Sequence, residues 1–349
     1  MAAIVLGIGT SHTPLLSLPP ELWADYAQND RANPELLAPP EATPMSYADL
    51  EARVSGRYAA VATPAHFHDQ YARAQRAITS LEETLRAAAP DTVVIISDDQ
   101  DEILFDDNMP SLAIYWGASM RVIPRQLPPT ASAATRAAAW GYGDAEVDVP
   151  VDTALAQRLI ERLIDDGFDV AHIRYLHDEY GGAIGPAGYL TRTRTTAPRR
   201  QGMPHGFSFV VRRIMNGAVR PIVPVFQNTC YPPNQPTPGR CYAFGRAIRA
   251  AIEGWDSDRR VAVVASGGLS HFVVDEEIDR MLLDGIARND GALLSALPRH
   301  RLDSAASEIR NWITAAGALS HLDVRLLDYI AGYRTPAGTG GGWAFGVWS

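Results

Sequence analysis

Short, continuous runs of apolar residues recur along the chain, and several are rich in β-branched side chains. Strands buried on both faces have this pattern, because neither face requires polar residues. The pattern predicts strands at residues 3–8, 92–96, 112–116, 169–175, 221–226 and 261–265. We interpret the N-terminal run as a first strand and not as a signal peptide, because no cationic segment precedes it.

A helical pattern lies between the first two of these strands. Thr63 is a suitable N-cap and Pro64 suits the first helical position, where its missing N–H costs nothing. Apolar residues then recur at helical spacing from Tyr71 to Leu85. Strand, helix and strand in this order predict an α/β fold, with a mostly parallel central sheet flanked by helices. In such sheets, ligands bind at the carboxyl ends of the strands, where we expect the active site.

Two segments interrupt the alternation of strands and helices. Residues 17–60 are rich in proline and polar residues, and residues 178–204 are rich in glycine, threonine and arginine. We expect both to be long loops of a single domain that spans residues 1–349. Long loops in compact domains commonly act as lids or binding elements.

Composition narrows the functional class. The 349 residues carry a formal net charge of −9 without a basic stripe, which argues against a nucleic-acid partner. No apolar run approaches the ~20 residues that cross a bilayer, so we expect no membrane partner. The two cysteines, Cys230 and Cys241, do not form a disulfide framework of the secreted type, which favours the cytoplasm.

Polar residues that could carry chemistry follow several predicted strands. His12 follows the first strand, and His271 follows the last in a glycine-containing segment, residues 266–271. Four acids follow the second strand: Asp98, Asp99, Asp101 and Glu102. Because carboxyl ends of parallel strands share one edge, these side chains are candidates for one site.

Other candidates come from helices and from the second irregular segment. The helix that begins at Pro64 runs antiparallel to its strands, so His66 and His68 lie at the same edge, either in the site or facing solvent. His205 ends the second irregular segment. Glu308 lies on an amphipathic helix predicted at residues 303–316, where a solvated acid is the simpler interpretation.

Taken together, these segments resemble the class III extradiol ring-cleavage dioxygenases, the LigB-type family of protocatechuate 4,5-dioxygenase catalytic subunits, which includes gallate and methylgallate dioxygenases. Four sequence islands carry the resemblance in the family's order. They are residues 9–14 (GTSHTP), residues 205–208 (HGFS), the group 231–233, 240–245 and 267–271 (YPP, RCYAFG and GGLSH), and Glu308 with Trp312 and Gly317.

The resemblance implies roles for these residues. His12 and Glu308 would bind a non-haem Fe(II), or Mn(II), while His271 would be the acid/base and His205 would lie near the substrate. The substrate would be a catechol-type aromatic acid such as gallate, methylgallate or protocatechuate, with O₂ as co-substrate. Arg194 and Arg213 are candidates to bind its carboxylate. We expect a homodimer by analogy.

The chain departs from the family at the second iron histidine, because that position is Gln100, or Asp101 with an offset of one. Three explanations remain open. His66 or His68 replaces the histidine, an oxygen of Gln100 or Asp101 completes the site, or the metal is lost. A competing function is a metal-dependent hydrolase or lyase that uses the acids from Asp98 to Glu102 and consumes no O₂.

Overall fold

The computed structural model describes residues 1–34, 36–105, 108–178, 183–184, 194–195 and 200–349. Most of the expected loop at 178–204, including the side chain of Arg194, lies outside the described residues. Numbered along the chain, the described strands are β1 (Ala3–Thr10), β2 (Leu36–Ala38), β3 (Thr43–Met45), β4 (Thr92–Asp98), β5 (Leu112–Tyr115), β6 (Ser119–Val122), β7 (Val147–Pro150), β8 (Ala171–Ile173), β9 (Ala183–Ile184), β10 (Arg194–Thr195), β11 (Ile222–Gln227), β12 (Arg260–Ser266), β13 (Val324–Tyr333) and β14 (Gly340–Trp348).

Helices pack on both faces of the central sheet, which eight of these strands form. The described α-helices are α1 (Trp23–Tyr26), α2 (Gln28–Arg31), α3 (Tyr47–Val54), α4 (Pro64–Ala88), α5 (Ala133–Ala138), α6 (Thr153–Asp165), α7 (His205–Phe209), α8 (Pro238–Glu253), α9 (Glu276–Ala287), α10 (Gly291–Ser295) and α11 (Ile309–Ala318). No helix in the described ranges is long and apolar enough to cross a membrane.

The central sheet has eight strands in the order β13-β14-β1-β12-β4-β11-β5-β8. Strands β1, β12, β4 and β11 are parallel neighbours, whereas β14 and β5 join the two sides of this group in antiparallel pairing. The predicted α/β fold with a mostly parallel sheet is therefore confirmed. That the whole chain forms one domain stays a prediction.

All six predicted apolar runs contain a strand of this sheet. The predicted N-terminus of α4 is also confirmed, since Pro64 opens the helix and the Thr63 side chain accepts a hydrogen bond from the backbone N–H of His66. The hairpin of β13 and β14 was not predicted, because its second strand contains four glycines, which disfavour strands.

Helix α11 differs from the amphipathic helix predicted at residues 303–316. A 3₁₀ turn, Ser304–Glu308, precedes it, and every residue of Ile309–Ala318 is buried. Arg310 is fully buried as well, which is possible because its guanidinium donates to backbone carbonyls, including that of Leu302. The prediction of one solvated face was therefore wrong.

The first irregular segment, residues 17–60, contains short helices and the β2–β3 hairpin. Trp23 anchors it, with its ring centroid 5.3 Å from that of Phe67 and 5.5 Å from that of Trp343. The indole N–H donates to the carbonyl of Leu18. This part of the chain is therefore packed onto the sheet through a buried aromatic cluster.

Candidate active site

The carboxyl ends of the neighbouring parallel strands β1, β12 and β4 bring polar residues together at one edge of the sheet. His12 lies just beyond β1, Asp98 is the last residue of β4, and the turn at residues 267–268 follows β12. Glu308 approaches from the other side as the N-cap residue of α11. The structure therefore places these residues at the carboxyl edge where the fold predicts a ligand site.

His12, Asp98 and Glu308 form a compact, buried cluster. One ligand atom from each side chain lies within 4.8 Å of those of the other two. His12 Nε2 lies 3.6 Å from Glu308 Oε2, and the three residues are only 5%, 2% and 2% exposed. An imidazole nitrogen with two carboxylates is a donor set that suits a divalent transition metal.

The hydrogen bonds of His12 determine which of its ring nitrogens is free to bind a metal. Its Nδ1 lies 3.0 Å from Ser266 Oγ, and that hydroxyl donates its own proton to the carbonyl of Gly206. Ser266 Oγ therefore accepts from Nδ1–H, which leaves Nε2 with its lone pair. Nε2 is buried and has no hydrogen-bond partner in the described structure. Burial also lowers the pKa of His12 to about 4, so the ring is neutral, as metal binding requires.

Both carboxylates of the cluster are held by donors from neighbouring elements. Gln100 Nε2 donates to Asp98 Oδ2 at 3.1 Å and to Glu308 Oε1 at 2.9 Å. Asn311 Nδ2 donates to Asp98 Oδ1 at 3.0 Å, and the backbone N–H of Gly268 donates to Glu308 Oε2. Such supporting partners fix the orientation of metal-binding side chains.

The two acids differ in their electrostatic surroundings. Burial raises the pKa of Asp98, and the nearby carboxylate of Glu308 raises it further. Burial also favours the neutral form of Glu308, but His271 and His12 outweigh it and hold the pKa of that carboxyl below its usual range. The surroundings therefore disfavour ionisation of Asp98 and favour ionisation of Glu308.

His271 points one ring nitrogen at the cluster. Its Nδ1 donates to the carbonyl of Leu269 at 2.7 Å, and its Nε2 lies 3.3 Å from Glu308 Oε1. Burial disfavours the imidazolium, but the carboxylate of Glu308 outweighs this effect and raises the pKa of His271.

His205 lies beside the cluster at the start of α7. Its ring centroid is 4.9 Å from that of His12, and both its backbone N–H and its Nδ1 are hydrogen-bonded to the Glu102 carboxylate. Although burial opposes the charge, Glu102 raises the pKa of His205 to about 9. The next residue is Gly206, and a Cβ atom at this position would lie 2.9 Å from His12 Cε1. This close approach explains the histidine–glycine pair.

The structure separates the remaining metal-ligand candidates. His66 and His68 are exposed on α4, where His66 pairs with Thr63 and His68 lies 3.6 Å from Glu21. Neither belongs to the buried cluster. Gln100, in contrast, contacts two of its members. Asp101 is buried in the turn after β4, with a backbone φ of 55°, and is not a member of the cluster.

The four acids after the second predicted strand do not form one site. Asp98 belongs to the cluster, whereas Asp99 accepts backbone N–H groups from the loop that follows, including those of Ile103 and Leu104. Glu102 pairs with His205. Among the described residues, Asp98 is therefore the only one of the four acids in the metal-ligand group.

A cavity of about 1310 Å³ opens over the cluster. Its walls include the five residues His12, Gln100, His205, His271 and Glu308. The sequence-based candidates His66 and His68 are not among the described residues that line it. Arg213 is not among them either, and its guanidinium donates to Gln75.

Sequence reasoning did not select Asp98 as a partner of His12 and Glu308, nor Asn311 and Ser266 as the residues that orient them. Asp98 gave one signal, since it is the first acid after a run of buried apolar residues. A strand-end position does not show which of several adjacent acids faces the site. Asn311 gave none, because a single amide on a helix is usually a surface residue.

This site has the features of a non-haem metal centre at the edge of an α/β sheet, and comparison with known proteins identifies its family. Residues 57–339 match the family model described as the catalytic LigB subunit of aromatic ring-opening dioxygenase. The match covers most of the chain. The chain therefore belongs to this family, as the resemblance predicted.

Individual relatives are distant. A gallate dioxygenase of Pseudomonas putida is 35% identical over 96 residues, which is 24% of this chain and 28% of that protein. A 2,3-dihydroxyphenylpropionate/2,3-dihydroxicinnamic acid 1,2-dioxygenase of a Rhodococcus species is 26% identical over 253 residues, 70% of this chain and 65% of the relative. The corresponding Rhodococcus rhodochrous protein is 33% identical over 138 residues, 38% of this chain and 35% of the relative. The chain thus spans less than two thirds of each of these relatives.

Proposed function

We propose that this protein is an extradiol dioxygenase that opens the ring of a catechol-type aromatic acid with O₂, using Fe(II) bound by His12, Asp98 and Glu308. The observation that carries the proposal is the unpaired Nε2 of His12, which faces two buried carboxylates within 4.8 Å. Membership of a family of aromatic ring-opening dioxygenases supports it. Substrates of the gallate, methylgallate and protocatechuate class fit this chemistry.

The set of one histidine and two carboxylates replaces the two histidines and one carboxylate of the usual facial triad. Because carboxylate oxygens are harder ligands than imidazole, Mn(II) is also a suitable ion. When bound, ferrous iron lowers the pKa of a catechol hydroxyl and lets electron density pass from the ring to O₂.

We infer that His271 moves the second catechol proton. Its Nδ1 donates to the carbonyl of Leu269, which leaves Nε2 as the ring nitrogen that would exchange a proton with the substrate. The same nitrogen lies 3.3 Å from Glu308 Oε1, close to the proposed metal ligands. A histidine suits both directions of proton transfer near neutral pH.

We infer that His205 binds a substrate oxygen beside the proposed metal site. Glu102 occupies its Nδ1, which leaves Nε2 as the ring nitrogen for a ligand in the cavity. The contact between the His205 and His12 rings keeps this donor beside the proposed metal site.

The proposal is tested by purifying the protein without oxygen, reconstituting it with Fe(II), and following O₂ uptake with a panel of catechols. The panel contains gallate, protocatechuate, 3-O-methylgallate and 2,3-dihydroxyphenylpropionate. We expect one O₂ consumed per ring and a new yellow or ultraviolet-absorbing product. Absence of uptake with every catechol would overturn the proposal, and turnover without O₂ would favour a hydrolase or lyase.

A further inference from the structure

Among the described residues, three arginines line the cavity, and two of them are paired with carboxylates. Arg334 is buried and makes two 2.6 Å contacts with the carboxylate of Asp30. Arg200 makes two 2.8 Å contacts with Glu146. Their charges are therefore matched by carboxylates of the protein, which leaves little attraction for an anionic ligand.

Arg125 is the third of these arginines. Its guanidinium lies over the ring of Tyr142, with Cζ 4.8 Å from the ring centroid. Within the described part of the chain, no carboxylate forms an ion pair with it at 4.0 Å or less. Its positive charge acts on Glu102 and Tyr26, two other residues that line the cavity.

A continuous wall of rings connects Arg125 with the proposed metal site. The Tyr142 ring centroid is 5.5 Å from that of His205, and the His205 centroid is 4.9 Å from that of His12. His12, His205, Tyr142 and Arg125 all line the same cavity. An aromatic substrate can lie along this wall, with its hydroxyls at one end and an acidic substituent at the other.

We propose that Arg125 is a specificity-determining residue that binds the carboxylate of the catecholic substrate. This inference rests on the proposed ring-opening function and names the group that selects acids over neutral catechols. A guanidinium offers paired N–H donors that match a carboxylate, and stacking on Tyr142 holds it in place before the substrate binds. Such preorganisation reduces the entropy lost on binding.

The inference is tested by comparing each acid with its neutral methyl ester, for both protocatechuate and 2,3-dihydroxyphenylpropionate, in the Fe(II)-loaded enzyme. In Arg125→Met, we expect KM for an acid to rise by about tenfold, as for loss of one charge-assisted pair. We expect kcat for that acid, and both constants for its ester, to change by less than about twofold. Arg125→Lys should give a KM for the acid that lies between those of the wild type and Arg125→Met.

Arg76→Met is the matched control, since it removes the same charge from an exposed position on α4 that does not line the cavity. It should match the wild-type enzyme with every substrate. If KM rises for protocatechuate, Arg125 binds a carboxylate attached directly to the ring. If it rises for 2,3-dihydroxyphenylpropionate, Arg125 binds a carboxylate on a side chain of the ring.

Equal KM changes for acid and ester, or no change for either acid, would overturn the role of Arg125 while ring opening itself persists. Failure of the proposed function has a different signature, because the wild-type enzyme would then consume no O₂ with any acid or ester. Anaerobic calorimetry with the two acids gives a binding readout independent of turnover. There we expect Arg125→Met to raise Kd by about tenfold.

Discussion

One end of the cavity takes its polar residues from strand ends and the buried helix α11, whereas the other takes them from the connection between β6 and β7. His12, Asp98 and Glu308 are at most 5% exposed and are fixed by hydrogen bonds. Arg125 is exposed and contacts the ring of Tyr142. Under the proposed function, the sheet edge holds the metal-binding residues and the connecting segment selects the substrate.

The largest effect should come from removing the carboxylate of Glu308, a proposed metal ligand. We predict that Glu308→Ala loses detectable ring opening and weakens metal affinity by more than about a hundredfold, beyond the range for supporting residues. Metal titration and O₂ uptake measure the two effects. Glu83→Ala, which removes an exposed acid from α4, is the control. Wild-type metal affinity in Glu308→Ala would show that the strand-end cluster is not the metal centre.

A second large effect separates chemistry from metal binding. We predict that His271→Ala lowers kcat by about 10² to 10⁴, the usual contribution of a general acid–base group, and retains metal affinity within about tenfold. Stopped-flow turnover and metal titration of the same preparation test both parts. Unchanged kcat would remove His271 from proton transfer.

A smaller effect should follow from a residue that holds the ligands. Gln100 donates to both Asp98 and Glu308, so Gln100→Leu leaves the two carboxylates without this bridge. We predict a loss of about ten- to hundredfold in metal affinity, the range for partners that orient metal ligands. If affinity is unchanged, Gln100 is a cavity residue only.

The strands could be predicted from the sequence because burial on both faces leaves a continuous apolar run, as in β4 and β12. The hairpin of β13 and β14 could not, because its glycines are required by contacts distant in sequence. A side chain at Gly342 would lie 2.0 Å from Asp279 Oδ2, for example. Such close approaches exist only in the folded chain.

The candidate site could be predicted where motif order identified residues, as for His12, His205, His271 and Glu308. The partner acid could not, because Asp98 and Asp99 are adjacent and only the turn after β4 decides their directions. That turn commits Asp99 to backbone N–H groups and leaves Asp98 in the cluster. Arg125 lay in a connecting segment without a periodic pattern.

A stability measurement tests how tightly α8 packs against α11, the helix that Glu308 precedes. A side chain at Gly245 in α8 would lie 1.9 Å from the carbonyl oxygen of Thr314 in α11. We predict that Gly245→Ala lowers the free energy of unfolding by about 1–3 kcal/mol through overpacking, measured by urea denaturation of the metal-free protein. Gly239→Ala in the same helix meets only an ordinary contact at 3.7 Å and should not destabilise the protein.

The smallest effect should come from the two histidines that the sequence offered as replacement ligands. His66 and His68 are exposed and pair with Thr63 and Glu21. We predict that His66→Ala and His68→Ala change metal affinity by less than about twofold, because neither belongs to the buried cluster. A large loss in either variant would favour a metal site at the start of α4.

The most direct test of the account is an anaerobic Fe(II) titration of the wild-type protein and of Asp98→Ala. Asp98 is the proposed ligand that would distinguish this centre from one with two histidines, and it lies with His12 and Glu308 within 4.8 Å. We predict one tightly bound ion per chain in the wild type. In the variant, we predict that Fe(II) binds about a hundredfold more weakly or worse. Equal affinity in the two proteins would contradict the assignment of Asp98 as a metal ligand.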